Sequence, residues 1–221
     1  MDKPSKLIDK ILEVIPGGIF GLLSVVSIIL GELLAFLLFP GYNIFDNMIS
    51  DLGVGKGGVF FNLGLLISGI LIIPYYVHLA KSFQGENINE NLRKYALLAA
   101  VISCITYALL GVFPAIEENI IIFYTHGILA TISIACGLGY LLLYSILMYK
   151  AQNYSKVQAY HGFLVAAIYA TFLMFWIPVV EWVLNLAILT WIIANSVYIL
   201  YLYKQENLKI KDKLVSNEKL G

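Results

Sequence analysis

The chain has 221 residues, of which 60% are hydrophobic and 13% charged. Soluble domains run near half apolar and about a quarter charged, so an ordinary water-soluble fold is excluded, as is a disordered chain. Fourteen basic residues balance fourteen acidic ones, which leaves no net basic charge for a nucleic-acid surface.

A mean hydropathy of +0.85 instead predicts an all-α integral membrane protein. At about 20 residues per crossing, the length accommodates six helices and no sizeable soluble domain. Residues 1–204 read as one six-helix transmembrane domain and 205–221 as a polar tail.

The charged start, residues 1–13, runs straight into a full-length apolar stretch. No small-residue cleavage site follows a short apolar core, so this first span is read as retained. It covers about 17–39 and contains an acidic residue, Glu32. The connection that follows, 40–57, reads Pro40-Gly41-Tyr42-Asn43, then Met48-Ile49-Ser50-Asp51-Leu52-Gly53. Its mixture of Ile, Met and Leu with Asp and Gly predicts an ordered segment lying on the bundle. A simple capped turn, with Asp51 or Ser50 bonding local amides, is the plainer alternative.

Span two covers about 58–80 and opens near Asn62; span three covers about 95–113. Span four, about 120–149, carries His126 and is long enough to tilt or to begin in the headgroup layer. Spans five and six cover about 158–178 and 182–203, with Glu181 between them. Small-xxx-small pairs at Gly17–Gly21, Gly64–Ser68 and Ser133–Gly137 point to close helix packing. Cys104 and Cys136 fall inside spans and suggest buried apolar roles rather than a disulfide or a metal pair.

Thirteen of the fourteen basic residues fall on one side of these spans: Lys3, Lys6, Lys10, Lys81, Arg93, Lys94, Lys150, Lys156, Lys204, Lys209, Lys211, Lys213 and Lys219. Only Lys56 falls on the other. The positive-inside rule then places both termini in the cytoplasm of a cell-membrane protein and the 40–57 loop outside. Spans two, four and six end in tyrosines before a lysine, as at Tyr75-Tyr76 to Lys81, which predicts an aromatic belt. Trp176 and Trp182 would mark the opposite interface.

With that orientation the uncommon polar residues gather outside: Glu32, Ser50, Asp51, Asn62, His126 and Glu181 form the expected ligand-binding set. Glu32 lies eight residues before Pro40 and His126 eight after Glu118, so both sit roughly 12 Å below the outer ends of their spans. An ionisable group at that depth faces a partner or a water-filled cavity. Equal depth suggests that Glu32 and His126 meet, or share a cavity; a hydrogen bond that merely ties two helices is the bland alternative. His78 and His161 read as polar caps near helix ends. No metal site and no cofactor motif is present in the sequence.

Pro40-Gly41-Tyr42, Ile49-Ser50-Asp51-Leu52-Gly53, Phe60-Phe61-Asn62, Gly111-Val112-Phe113-Pro114 and His126-Gly127 resemble a prokaryotic six-span family known as domain of unknown function 998. The resemblance covers about the first 140 residues; spans five and six match only as apolar helices. More distantly, the Ser-Asp loop and the span-four histidine look like the Frag1, DRAM and Sfk1 group. That likeness implies a link to lipid remodelling or lipid asymmetry.

Three functions follow as expectations. The leading one is a non-catalytic protein that binds or organises membrane lipid, or a membrane-protein partner, through the outward polar cluster. The second is an intramembrane lipid hydrolase or transferase with Ser50 as nucleophile, His126 as base and Asp51 or Glu32 as orienter. The third is a small proton-coupled carrier using Glu32.

Overall fold

The computed structural model describes residues 8, 10, 12, 14–84 and 88–218, with side chains placed as far as 205. Lys3, Lys6 and Lys219 of the basic set lie outside the described residues, as does most of the charged start. Six helices are long and apolar enough to cross a membrane. They are α1 (Gly17–Leu37), α2 (Gly58–Lys81), α3 (Glu90–Leu110), α4 (Ile120–Lys150), α5 (Lys156–Phe175) and α6 (Pro178–Glu218). A short 3₁₀ helix, Ile49–Gly53, interrupts the connection between α1 and α2. The bounds follow the apolar runs because a backbone in hydrocarbon must satisfy its own donors and acceptors.

Local chemistry sets the ends. The Asn89 side chain accepts from the amides of Asn91 and Leu92 and starts α3 five residues before its apolar run. Asn119 caps α4 through Ile122, and Ser155 with Gln158 forms a reciprocal capping box on α5. Trp176 closes α5 in the left-handed region (φ 48°), and α6 starts two residues later at Pro178. There the missing N–H costs nothing. The α6 helix continues past its apolar part to Glu218, so the backbone has no break at the expected boundary of 204.

The helices form a closed ring. Each packs on its sequence neighbours, and α6 returns to pack on α1. Small residues make the seams. A methyl group on Gly31 would stand 2.6 Å from the Phe60 carbonyl oxygen, so α1 and α2 cross there at backbone contact. The expected Gly64–Ser68 and Ser133–Gly137 pairs also lie on seams. The Ser24 hydroxyl meets that of Ser68 at 2.8 Å, and Ser103 and Ser133 each donate to the other's carbonyl at 2.8 and 3.2 Å. Asn195 accepts from Gln158 across α5–α6, and Thr190 meets His161 at 3.3 Å.

Buried aromatic rings form part of the core toward the terminal side of the ring. Tyr75, Tyr76, Tyr140, Tyr144 and Trp191 are all buried, with Tyr76 and Tyr140 ring centroids 4.9 Å apart. This corrects the aromatic-belt expectation for Tyr75, Tyr76 and Tyr144, which face the ring's interior rather than headgroups. The Tyr144 hydroxyl donates to the Tyr76 carbonyl at 3.2 Å. Cys104 is buried beside them, and Cys104 and Cys136 are both free thiols. At the opposite end the connection between α1 and α2 packs on three of the helices, with Leu52 in the core.

Candidate functional site

The loop of residues 38–57 is built from its own polar side chains. Gly41 takes a positive φ of 80°, which a side chain would resist. The Asn43 carbonyl oxygen accepts from the Phe45 amide at 3.1 Å, and its amide nitrogen donates to Asp46. Asp51 accepts from the Met48 amide at 3.0 Å and so caps the 3₁₀ helix locally. The capped-turn alternative therefore describes Asp51. The order expected for the loop is present, with Ile49 and Leu52 buried. Ile44 and Phe45 are exposed, however, at 37% and 67%. They sit at the tip of the turn, beyond the reach of the bundle.

Two contacts latch this loop to α6. The Glu181 carboxylate accepts from the Ile49 amide at 2.7 Å and also from that of Ser50, at the start of the 3₁₀ helix. One turn-end away, the Trp182 indole donates to the Tyr42 hydroxyl at 2.9 Å, and that hydroxyl donates to the Met48 carbonyl at 2.8 Å. Burial pushes the Tyr42 phenol well above its ordinary range, so it stays neutral and can relay both bonds. Trp182 thus latches the loop, and Trp176 is 40% exposed at the end of α5.

Beneath the loop lies a cavity of about 150 Å³, lined by all six helices and by Ile49 and Ser50 of the loop. Its walls are mainly apolar, with Ile28, Leu65, Ile72, Leu184 and Ile188 among them. His126, Glu181, Asn185 and Tyr107 also contribute. The cavity reaches from Glu181 as far as Ile192 along α6, a run of about 16 Å at 1.5 Å per residue. It is therefore long and narrow.

The expected set of six residues divides. Ser50, His126 and Glu181 converge on this cavity. Asp51 and Asn62 line a separate, wider groove of about 900 Å³ on the loop's outer side, with Glu117 and Glu118. Asn62 serves structure there, donating to the Gly53 carbonyl at 2.9 Å. Among the described residues no three His, Cys, Asp or Glu side chains come close enough together to hold a metal ion.

Glu32 does not pair with His126. Its carboxyl accepts from the Asn185 side-chain amide at 3.0 Å, and both residues are buried. His126 instead hydrogen-bonds through Nδ1 to the Phe113 carbonyl at 2.8 Å. A carbonyl can only accept, so Nδ1 carries a proton, and the neutral ring offers Nε2 as an acceptor. The two residues share depth, but the ring puts α6 beside α1 and α3 beside α4. Each therefore finds its nearest neighbour instead. Glu32 reaches the cavity only through Asn185.

Asn185 stands out only in the structure, where ring closure lets it join Glu32 to the cavity wall. The Tyr42–Trp182 latch was equally invisible, since the partners are 140 positions apart.

The family described as "Protein of unknown function (DUF998)" matches residues 22–200. The chain belongs to that family. The DUF998 match runs through α5 and α6, further than the first 140 residues that carried the resemblance, and it includes every residue of the candidate site. Neither a curated protein nor a solved structure matches the chain.

Proposed function

We propose that this DUF998 protein binds membrane lipid without transforming it, taking one hydrocarbon chain into the cavity of the ring. The polar headgroup then lies against Ser50, His126 and Glu181. The observation that carries this reading is the long, narrow, mainly apolar cavity ending at that polar set. Ligand sites are typically concave, apolar and furnished with a few convergent polar groups. A dry void of about 150 Å³ accepts a benzene-sized group, so the resting cavity suits one slim chain rather than two. The loop covers the headgroup end. In this reading it faces the outside of the cell membrane and both termini face the cytoplasm, which the thirteen-to-one division of basic residues supports.

The test is lipid retention. Native mass spectrometry of protein released from nanodiscs should show a bound lipid, and Leu184→Trp, which fills the cavity, should remove it. Equal occupancy in the variant and the parent would refute the reading.

One observation favours a second reading, lipid hydrolysis or transfer. Ser50 and His126 line the same cavity, and His126 offers Nε2 as a base. Asp51 is engaged in capping the loop, so the histidine's orienting partner would be the Phe113 carbonyl. Turnover of labelled lipid, abolished by Ser50→Ala with the fold intact, would replace binding with catalysis.

A further inference from the structure

Resting on the lipid-binding reading, we infer that the site selects its ligand by charge: the headgroup it takes is a protonated amine, and anionic headgroups are excluded. The argument is an inventory of donors and acceptors at the polar end of the cavity. Glu181 presents a buried carboxyl group that already accepts from the Ile49 and Ser50 amides. His126 has its Nδ1 proton committed to Phe113 and presents an acceptor at Nε2. One N–H of the Asn185 side chain goes to Glu32, which places a second buried carboxyl directly behind this part of the cavity wall. Ser50 and Tyr107 add hydroxyls, which accept as well as donate, and among the described residues no lysine or arginine lines the cavity.

Such an end complements an ammonium group, which carries three donors and no acceptor. A phosphate or carboxylate would bring further negative charge beside Glu181 in a site of low dielectric, which is unfavourable. The phenol of Tyr107, which also lines the cavity, adds an aromatic face on which a cation can rest.

The slim cavity suits a single-chain amine better than a two-chain lipid.

The experiment compares three probes of one chain length on the full chain, solubilised in digitonin, whose steroid body does not mimic them. These are dodecylamine, dodecanoate and dodecanol, read by thermal shift and by native mass spectrometry near neutral pH. Dodecylamine should bind about tenfold tighter than dodecanoate, with dodecanol between. Glu181→Gln should shrink that preference several-fold, but it also weakens the cap on the 3₁₀ helix. Glu32→Gln touches no loop residue and should shrink it too, with dodecanol binding kept in both variants. If dodecanol binds while the amine has no advantage over dodecanoate, the charge selection is wrong and the lipid-binding reading survives. An amine preference that persists in both variants also overturns the assignment to these carboxyls. If none of the three probes binds, the lipid-binding reading falls and this inference with it.

Discussion

Replacing Asn185 with leucine removes the hydrogen bond that holds the Glu32 carboxyl and leaves that group buried without its partner. The two atoms are 3.0 Å apart, and the residues are 9% and 8% exposed, so water cannot take over. A hydrogen bond to a carboxyl is worth about 1.5–3 kcal/mol in soluble proteins. Inside membranes measured interhelical bonds average about 0.6 kcal/mol and reach about 1.7, because the separated helices also find partners. The closed ring gives Glu32 few alternatives, so the upper part of that membrane range, about 1–1.7 kcal/mol, is the expected loss for Asn185→Leu. For a chain of this size that corresponds to roughly 2–7 °C in Tm. Glu32→Leu together with Asn185→Leu should recover part of the loss, since replacing both partners by apolar groups strands nothing. Thermal unfolding in detergent of the parent, both single variants and the double variant measures this coupling. The same cycle run with Glu32→Leu and His126→Ala should be additive within about 0.5 kcal/mol. Additivity in the Asn185 cycle, or strong coupling in the His126 cycle, would refute the partner assignment.

Trp182→Phe keeps an aromatic ring against Tyr42 but loses the indole donor, so the loop should loosen by about 0.5–1.5 kcal/mol. Limited proteolysis between residues 43 and 47 should then accelerate, and unchanged cleavage would show that ring packing alone holds the loop. Gly31→Val places a side chain against the Phe60 carbonyl at the α1–α2 crossing and should cost about 3 kcal/mol or prevent folding. Gly127→Ala meets open space in the middle of a helix and should stabilise by up to about 1 kcal/mol. Comparing the monodisperse yields of these two variants checks the seam, and equal yields would contradict it. Cysteines introduced at Lys56 and at Lys204 should react with an impermeant thiol reagent from opposite faces of the membrane; reaction from one face would overturn the proposed orientation.

Much of this protein was legible along the chain because the membrane makes hydropathy and helix length nearly the same statement. Twenty apolar residues must be helical there, whatever surrounds them. The six spans and the ordered loop after the first helix are read from runs of residues a few tens long. Caps at Asn89, Asn119 and Ser155 moved the boundaries by only a few positions. Ser50, His126 and Glu181 were named only within a larger outward set of six, which the structure divides, with Asp51 and Asn62 lining a separate groove. What sequence could not supply was rotation about each helix axis and the identity of each neighbour. A rise of 1.5 Å per residue gives depth, and depth placed Glu32 level with His126. Which faces meet depends on where glycines and serines let backbones touch. Those contacts close α6 onto α1, turn Glu32 toward Asn185, send Asp51 to the outer groove and leave the cavity beneath the loop.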